Sequence, residues 1–238
     1  MDWPMIVFII CYLALLLAYL FTKTADNFKR KAINKIILAL MFAIYALVET
    51  IRLGNFQVNN IHFWGLIGIL VAALGDIILI WDFKKGGLVF AIGNVFLFLY
   101  GVLLLNLIGF TLKNYWWFLL IFVALNYGMI ALVKADWFEN MNKYMRKGFP
   151  IYFSSVSLHG SLGIVGILLI LLADFEIPER LMIKALLLNI GFFLFMVSDM
   201  FLALYRFKDQ KNNFATIANS ITYFGGLLLI SLSTSFNL

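Results

Sequence analysis

Two aspartates lie deep within hydrophobic stretches of the sequence that are long enough to cross a membrane. Asp76 stands in the segment LGDIIL, residues 74–79, and Asp199 in the segment VSDMFL, residues 197–202. An aspartate at the centre of a membrane helix costs roughly 2.5 to 3.5 kcal/mol on insertion scales, and such residues are usually functional. This cost must be offset, and the two acids are the best candidates to share one site.

A pair of acids in a dry site can carry out acid–base chemistry. Burial favours the neutral form of a carboxyl group, and two carboxyl groups in one site take up different protonation states. One of them can then donate a proton while the other, as a carboxylate, stabilises a cation or activates water. Buried acids also form the proton relays of transporters, so the pair by itself leaves both functions open.

The rest of the chain consists of the membrane spans that must position these acids. Of its 238 residues, 64% are hydrophobic and only 13% are charged, whereas soluble domains are about one half hydrophobic. A helix that rises about 1.5 Å per residue needs about 20 apolar residues to cross the hydrocarbon core. The sequence therefore predicts an all-α membrane protein, a single polytopic domain over residues 1–238 that forms a bundle of eight transmembrane helices. The predicted spans are approximately 4–21, 33–51, 61–81, 87–109, 115–133, 151–173, 181–205 and 215–236.

The basic residues indicate how the bundle is oriented. Fourteen of the 18 lysines and arginines flank the odd-numbered connections, and the even-numbered ones hold only Arg52, Lys113, Arg180 and Lys184. The positive-inside rule therefore places the odd-numbered connections in the cytoplasm and both termini on the non-cytoplasmic side. This topology, and not a nucleic-acid partner, explains the net charge of +6. We predict a multi-pass protein of the bacterial cytoplasmic membrane, in which Arg52 pairs with Glu49 on the same helix.

Depth in the membrane groups further polar residues with the acids. Asp76 and Asp199 both lie about six or seven residues, or ~10 Å, before the predicted cytoplasmic ends of their helices. Polar side chains on four other helices fall near the same depth: Asn94, Asn126, Tyr127, His159, Asn219 and Tyr223. The sequence therefore predicts a polar chamber that opens toward the inner leaflet. The similar segments around the two acids also suggest two related four-helix halves.

Several motifs give the chain a resemblance to a known family. Residues 191–207 contain the pattern GxxxFxxSDxxLAxxRF, residues 75–93 contain GDxxL followed by Phe83, GLxF and Gly93, and the last helix carries Tyr223. In this ordered set the chain resembles the lysoplasmalogenases of the YhhN-like type, which are eight-helix membrane proteins. The motifs cover the third, fourth, seventh and eighth helices, and the first and fifth helices are matched only by hydropathy.

The chain departs from the family pattern at three places. Gly93-Asn94 stands where the family tends to have Gly-His, and Gly225-Gly226 stands where Ala-Gln is expected after the tyrosine. The Lys-Pro pair near the start of the second helix is represented by Lys35 without the proline. The departures leave the pair of acids intact and concern the identity of the substrate.

The resemblance implies a lipid hydrolase that uses the two aspartates. Its reaction is hydrolysis of the vinyl-ether bond of a lysoplasmalogen, which releases a fatty aldehyde and a glycerophospho-alcohol. An enol ether is cleaved by protonation of its β-carbon, and water captures the resulting oxocarbenium ion, so the reaction needs one acid and one carboxylate. We assign Asp199 as the proton donor and Asp76 as the ionised partner.

Other polar residues are predicted to support the aspartates. The candidates for orienting water or the glycerol hydroxyl are Ser198, Asn94, Asn126, His159 and Tyr223. The lipid phosphate would be held by a basic side chain near the inner face, for which the candidates are Lys35, Lys84, Lys85 or Arg206. Gly75, which precedes Asp76, would let the substrate approach the backbone closely. The expected partners are a lysophospholipid substrate with a vinyl-ether chain and the membrane lipids.

No cofactor and no metal are expected, because the only histidines, His62 and His159, lie near opposite faces and a zinc hydrolase usually needs three protein ligands. Three other functions also fit two buried acids. A proton-coupled transporter would need a pathway to both faces, whereas the polar residues crowd one side and no span is broken by a mid-helix proline. An intramembrane aspartyl protease would use the sequence ALGD at residues 73–76, which lacks the first glycine of that motif. The third is a non-catalytic lipid-binding membrane protein.

Overall fold

The computed structural model describes residues 3–23, 28–54, 56–58, 60–209 and 212–236, and every regular element in these ranges is helical. The helices are α1 (Trp3–Lys23), α2 (Phe28–Arg52), α3 (Ile61–Leu79), α4 (Phe83–Ile108), α5 (Leu112–Tyr115), α6 (Phe118–Lys134), α7 (Lys143–Leu171), α8 (Glu179–Ala203) and α9 (Asn213–Ser233). A π-helical turn, Leu204–Lys208, directly continues α8. Both chain termini, whose side of the membrane the sequence predicts, lie outside the described residues, and so does the basic residue Lys211.

The predicted all-α fold with eight spans is confirmed. Eight helical segments of the described chain are long and apolar enough to cross a membrane, and the protein is a multi-pass membrane protein. The short α5 and α6 together form the fifth span, Leu112–Lys134, and α8 with its π turn forms the seventh, Glu179–Lys208. The orientation of the termini and the internal repeat stay predictions.

The sixth span begins earlier than the sequence predicts. Instead of starting at residue 151, α7 starts at Lys143, where the side chain of Asn142 accepts hydrogen bonds from two backbone N–H groups of the first turn. Pro150 therefore lies inside a span, but it does not break the helix, in keeping with the expectation that no span is broken by a mid-helix proline. The helix continues through it, and the carbonyl of Pro150 accepts a hydrogen bond of 2.8 Å from Oγ of Ser154.

The first helix shows how the spans divide between core and lipid. Its buried stripe recurs at helical spacing and consists of Met5, Phe8, Tyr12, Leu16 and Tyr19. The face of α1 that points away from the bundle exposes Val7, Ile10, Leu13 and Leu17. A continuous apolar face of this kind is the surface that a membrane protein presents to lipid. Tyr12 also donates a hydrogen bond of 3.0 Å to the carbonyl of Phe224, which fastens α1 to α9.

Glycines allow two pairs of helices to pack closely. A Cβ atom built on Gly93 of α4 would lie 3.2 Å from the carbonyl oxygen of Gly68 in α3. A Cβ atom on Gly226 of α9 would lie 2.9 Å from the carbonyl oxygen of Gly191 in α8. Because small residues let helix backbones approach in a membrane, these contacts hold α3 against α4 and α8 against α9. Both acid-bearing helices are thereby fixed against a neighbour.

A buried polar cluster lies near the bundle end at which α8 starts. Nζ of Lys184 lies 2.6 Å from Nε2 of His62 and donates a 3.1 Å hydrogen bond to the carbonyl of Phe236. The structure thus buries Lys184, which the sequence analysis counted among the basic residues of a connection. The predicted pair of Glu49 and Arg52 is confirmed, with 2.7 Å between Oε2 and Nη2.

Candidate active site

A cavity of about 160 Å³ lies at the bundle end where α1, α3 and α8 end and where α2, α4 and α9 begin. We call it the aspartate cavity, because Asp76 and Asp199 both line it. Its lining comes from seven of the eight spans in the described chain, all but the fifth, and consists of Tyr19, Lys23, Lys35, Asp76, Leu79, Phe83, Phe90, Tyr152, Asp199, Leu202, Tyr205, Arg206, Asn219, Ser220, Tyr223 and Phe224. The structure therefore brings the two predicted acids to one site, together with four other residues that the sequence singled out: Lys35, Arg206, Asn219 and Tyr223.

Asp76 lies in the last turn of α3, and its carboxylate is held by two partners. Nζ of Lys35, from the second turn of α2, lies 2.8 Å from Oδ1 in an ion pair. The hydroxyl of Tyr223 in α9 donates a hydrogen bond of 2.6 Å to Oδ2. Since Asp76 is only 1% exposed, this cation and this hydroxyl replace the water that would otherwise solvate the charge.

Asp199 lies one turn before the end of α8 and has a different environment. The hydroxyl of Tyr152 in α7 donates a hydrogen bond of 3.0 Å to its Oδ2. Asp199 is 2% exposed and forms no ion pair with any residue that the structure describes. The two acids thus differ in their electrostatic surroundings: each receives one tyrosine hydroxyl, but the carboxylate of Asp76 alone is paired with a cation.

The π turn after α8 brings two successive side chains into the cavity. Tyr205 and Arg206 both line it, although neighbouring residues of an α-helix point about 100° apart. The guanidinium carbon of Arg206 lies 4.6 Å from the centre of the Phe83 ring, in a cation–π contact. Isolated π turns occur frequently at functional sites, and here one places a cation at the mouth of an acidic cavity.

Lys23, at the end of α1, is a further cation of the cavity that sequence reasoning treated only as a marker of topology. Its Nζ donates hydrogen bonds to the carbonyl of Thr216, at 3.0 Å, and to Oγ of Ser220. The ammonium group also lies 5.3 Å from the centre of the Tyr205 ring. Lys23 therefore joins α1 to α9 and to the π turn, and it is the third basic side chain of the cavity lining, with Lys35 and Arg206.

Tyr152 was also missed by sequence reasoning, and so was Tyr205. Tyrosines near the ends of membrane helices usually anchor the protein at the interface, so their type and position gave no signal of a site. For Tyr152 the misplaced start of the sixth span added to the error, since the predicted span began only one residue before it. In the structure Tyr152 lies in the third turn of α7 and faces inward.

Four of the residues predicted to orient water or the glycerol hydroxyl do not line the aspartate cavity, and neither do Lys84 and Lys85. Asn126 belongs to the packing of α6 on α7, where its Nδ2 donates to Oγ of Ser157 at 2.8 Å and its Oδ1 accepts from Ser154 at 2.6 Å. Its neighbour Tyr127 is 76% exposed and faces away from the bundle. Asn94 donates from Nδ2 to Oγ of Ser155 at 3.1 Å, which links α4 to α7.

His159 and Ser198 complete this group. Nδ1 of His159 lies 3.2 Å from the carbonyl oxygen of Ser155, and its ring packs edge-on against Phe192 with 4.9 Å between ring centres. Oγ of Ser198 donates to the carbonyl of Phe195 at 2.6 Å, within its own helix. These buried side chains make helix contacts, and the structure brings none of them to the cavity wall.

The space beside the backbone of Gly75 is filled by the ring of Phe90. A Cβ atom on Gly75 would lie 2.7 Å from Cδ2 of Phe90. The expectation that a substrate approaches the backbone at this glycine is therefore wrong, because the glycine accommodates an aromatic ring of α4. That ring lines the cavity beside the acid and makes its wall apolar.

The start of α4 is fixed by a side-chain cap that lies outside the spans. Oδ1 of Asp82 accepts hydrogen bonds of 3.1 and 3.0 Å from the backbone N–H groups of Lys85 and Lys84. These bonds hold the pKa of the Asp82 carboxyl below its ordinary value, and the bond from the N–H of Lys85 contributes most to this shift. The cap starts α4 at Phe83. It therefore helps to position the Phe83 ring, over which the guanidinium of Arg206 lies.

The eight apolar spans and the buried acids at one end define a polytopic membrane protein with an intramembrane acidic cavity. The model of the YhhN family matches residues 30–234, which include every part of the aspartate cavity except Tyr19 and Lys23 of α1. The chain belongs to the YhhN family, which is the lysoplasmalogenase family. No curated protein and no solved structure matches the chain.

Proposed function

We propose that the protein is an intramembrane hydrolase that cleaves the vinyl-ether bond of lysoplasmalogens and releases a fatty aldehyde and a glycerophospho-alcohol. Membership of the YhhN family supports this reaction. The observation that carries the proposal is the placement of Asp76 and Asp199 on one cavity, each bonded to a tyrosine and only one of them bonded to a cation.

The unequal surroundings of the acids support one assignment of roles. Asp76 is the carboxylate, since the ammonium of Lys35 neutralises its charge at 2.8 Å. Asp199 is the proton donor, because a buried acid without a cation partner is held at least cost in its neutral form. A carboxylic acid and a carboxylate on one cavity are the groups that hydrolysis through an oxocarbenium ion requires.

With these roles every proton in the reaction is accounted for. Asp199 transfers its proton to the β-carbon of the vinyl ether, and the positive charge that forms at the ether carbon is stabilised by the Asp76 carboxylate. Water attacks this carbon while Asp76 takes one of its protons, which gives a hemiacetal. Asp199, now a carboxylate, then removes the hemiacetal hydroxyl proton while Asp76 protonates the departing glycerol oxygen. The aldehyde is released, and both acids return to their starting states.

The basic residues around the cavity suit the polar end of a lysophospholipid. Arg206 and Lys23 line the cavity at the bundle end where the odd-numbered connections lie, and guanidinium and ammonium groups are the usual ligands of lipid phosphates. The positive-inside rule places this end at the cytoplasmic face. The phosphate would then bind near the interface, and the ether bond would lie deeper, between the acids.

The decisive experiment is incubation of the purified protein with lysolipids that differ only in carrying a vinyl-ether, an alkyl-ether or an ester linkage, followed by mass spectrometry. Aldehyde should appear from the vinyl ether alone. Asp76→Asn and Asp199→Asn should each lower its release by at least about 10²-fold, the usual contribution of a positioned acid or base. Asp174→Asn, which makes the same change outside the cavity, should leave the rate unchanged.

Two outcomes would contradict the proposal. Full activity in either cavity variant would reject the mechanism with two aspartates. Absence of aldehyde from every lysolipid, combined with proton-coupled uptake of a solute into liposomes, would favour a transporter instead. Thermal unfolding of both variants in the same detergent shows whether a loss of activity reflects the chemistry or the fold.

A further inference from the structure

An apolar groove runs between α4 and α7 on the outer side of the aspartate cavity. Its volume is about 350 Å³, more than twice the 160 Å³ of the cavity itself. The floor and walls are formed by residues from one face of each helix, such as Leu88 and Ala91 of α4 and Met145 and Ile151 of α7. The size lies in the range of clefts that hold small ligands, roughly 300 to 1,000 Å³.

Two glycines, one on each helix, line this groove and leave it open. A Cβ atom on Gly148 of α7 would meet no atom within 4 Å, and one on Gly87 of α4 would meet only Cδ2 of Tyr152, at 3.8 Å. The adjacent Gly86 is different, because a Cβ atom there would lie 2.7 Å from the backbone nitrogen of Leu79. Gly86 is thus required for helix packing, whereas Gly87 and Gly148 leave open space between two membrane helices.

The groove and the aspartate cavity share a wall. Leu79, Phe83, Tyr152 and Leu202 line both of them. Tyr152 is also the residue that donates a hydrogen bond to Asp199 at 3.0 Å. These four side chains thus form a common wall between the groove and the cavity, and one of them, Tyr152, contacts the proposed proton donor directly.

The groove is polar only near the membrane interface. Lys84 and Tyr144 line that end, where Nζ of Lys84 lies 4.8 Å from the centre of the Tyr144 ring. The deeper part is apolar, and its lining includes side chains of α4 and α7 that are exposed on the outer surface of the bundle, such as Leu88 and Ile151. This distribution matches an amphipathic molecule whose polar head contacts the cation of Lys84 and whose single long apolar tail fills the deeper part of the groove.

We propose that this α4–α7 groove binds the single hydrocarbon chain of the lysolipid and is the lateral path by which the substrate reaches the aspartates from the membrane. This inference rests on the proposed function and adds to it the site that selects the chain. A larger apolar recess of about 530 Å³ lies between α6 and α8, but none of its lining residues belongs to the aspartate cavity. Continuity with the cavity therefore favours the smaller groove.

The test fills each of these spaces with the same side chain. Gly87→Leu blocks the groove, whereas Gly128→Leu enters the recess between α6 and α8, where a Cβ atom also meets no atom within 4 Å. Binding of alkyl-ether lysolipids of increasing chain length is measured by native mass spectrometry of the purified protein. These ligands lack the vinyl group, so their binding is independent of hydrolysis.

We expect Gly87→Leu to weaken binding of long-chain lysolipids about tenfold relative to short-chain ones, the effect of losing about two methylene contacts. Gly148→Leu, at an exposed glycine with open space around it, should have the same effect and serves as a second variant if Gly87→Leu folds poorly. Gly128→Leu should leave the dependence on chain length unchanged.

The outcomes separate this inference from the function on which it rests. Chain-dependent binding that Gly87→Leu and Gly148→Leu abolish supports the groove, even if no lysolipid yields aldehyde. Aldehyde release with unchanged chain preference in both variants would overturn the groove and leave the hydrolase standing. An effect of Gly128→Leu alone would assign the chain to the recess between α6 and α8 and would also overturn the inference.

Discussion

The ammonium nitrogen of Lys35 lies 2.8 Å from Oδ1 of Asp76 and joins the second and third helices inside the membrane bundle. The side chain of Asp76 is 1% exposed and that of Lys35 is 21% exposed, so neither charge is well solvated by water. Removal of one member of a buried ion pair leaves an uncompensated charge, whereas replacement of both members by apolar residues is often neutral for stability. This contact can therefore separate the structural role of Asp76 from its proposed chemical role.

We expect Lys35→Met to lower the free energy of unfolding by about 3 to 5 kcal/mol, the usual cost of breaking a buried pair. The double variant Lys35→Met/Asp76→Leu should regain most of this loss and yet release no aldehyde. Denaturant unfolding in detergent and the aldehyde assay measure the two properties on the same samples. A double variant no more stable than Lys35→Met would show that the pair is not what stabilises this end of the bundle.

The fold was predictable because a bilayer imposes a simple demand on sequence. Every span needs about 20 apolar residues, and the eight runs of the sequence match the eight spans of the structure. The shared cavity of Asp76 and Asp199 was predictable for a related reason: an acid in a long apolar run is energetically costly, so two such acids are expected to share one site. Their equal depth followed from counting residues along helices of known rise.

Depth did not reveal which side of each helix faces the cavity. Asn94, Asn126 and His159 lie near the predicted depth, but the lipid-facing sides of their helices are apolar as well as the sides that face the bundle, so hydropathy does not fix rotation about the axis. Neighbouring residues, which point 100° apart on such a helix, are therefore equally good candidates for lining a site. The π turn that brings Tyr205 and Arg206 into the cavity together was equally invisible, because it changes the register of the helix without a proline or glycine.

The two tyrosines of the cavity test the assignment of the acids. A hydrogen bond to a charged group contributes about 1.5 to 3 kcal/mol and a neutral one about 0.5 to 1.5 kcal/mol. If Asp76 is the carboxylate, Tyr223→Phe should lower kcat/KM for aldehyde release by roughly 10- to 150-fold. Tyr152→Phe, which removes the 3.0 Å bond to the neutral acid, should lower it by at most about tenfold.

A matched tyrosine on the lipid face controls for these substitutions. Tyr127 is 76% exposed, and Tyr127→Phe should leave kcat/KM unchanged. The informative quantity is the kcat/KM of Tyr223→Phe divided by the kcat/KM of Tyr152→Phe. A larger loss for Tyr152→Phe than for Tyr223→Phe would reverse the roles of the two acids, with Asp199 as the carboxylate.

Alanine substitutions at two adjacent glycines of α9 should have opposite effects on the stability of the protein. A Cβ atom on Gly225 would meet no atom within 4 Å, whereas one on Gly226 would lie 2.9 Å from the carbonyl oxygen of Gly191 and 3.0 Å from the backbone nitrogen of Phe195. Gly225→Ala should therefore stabilise the protein by about 0.5 to 1 kcal/mol, the usual gain of alanine over glycine in a helix. Gly226→Ala should destabilise it by about 1 to 3 kcal/mol, because backbone atoms of α8 must move.

Unfolding of the two alanine variants in parallel measures this difference. Each serves as the control for the other, since the substitution, the helix and the depth are the same. Equal stabilities would show that α8 and α9 do not approach as closely as 2.9 Å at this position. The comparison also bears on the sequence departure at Gly225-Gly226, because it tests whether this chain needs a glycine for its own helix packing.

The loop before α7 is fastened to the π turn by contacts that should depend on pH. Nζ of Lys208 donates a hydrogen bond of 2.7 Å to Oε1 of Glu139, and this bond with the lysine charge holds the pKa of Glu139 below its ordinary value. Beside it, the backbone N–H of Asn140 donates to the carbonyl of Phe207 at 2.9 Å. Both contacts fix the turn that carries Arg206.

A depressed pKa means that the folded loop binds the glutamate proton less readily than the unfolded loop does. The stabilisation by Glu139 is therefore complete above the ordinary glutamate pKa, and it is lost as the pH falls through the lower value of the folded state. We expect the hydrogen-exchange protection of the Asn140 amide, corrected for intrinsic exchange, to fall over this acidic range. Salt should reduce it as well, since the pair is exposed. Glu139→Gln should show low protection at every pH, and a profile equal to that of the unmodified protein would mean that the bond of Asn140 to Phe207 holds the loop without help from the ion pair.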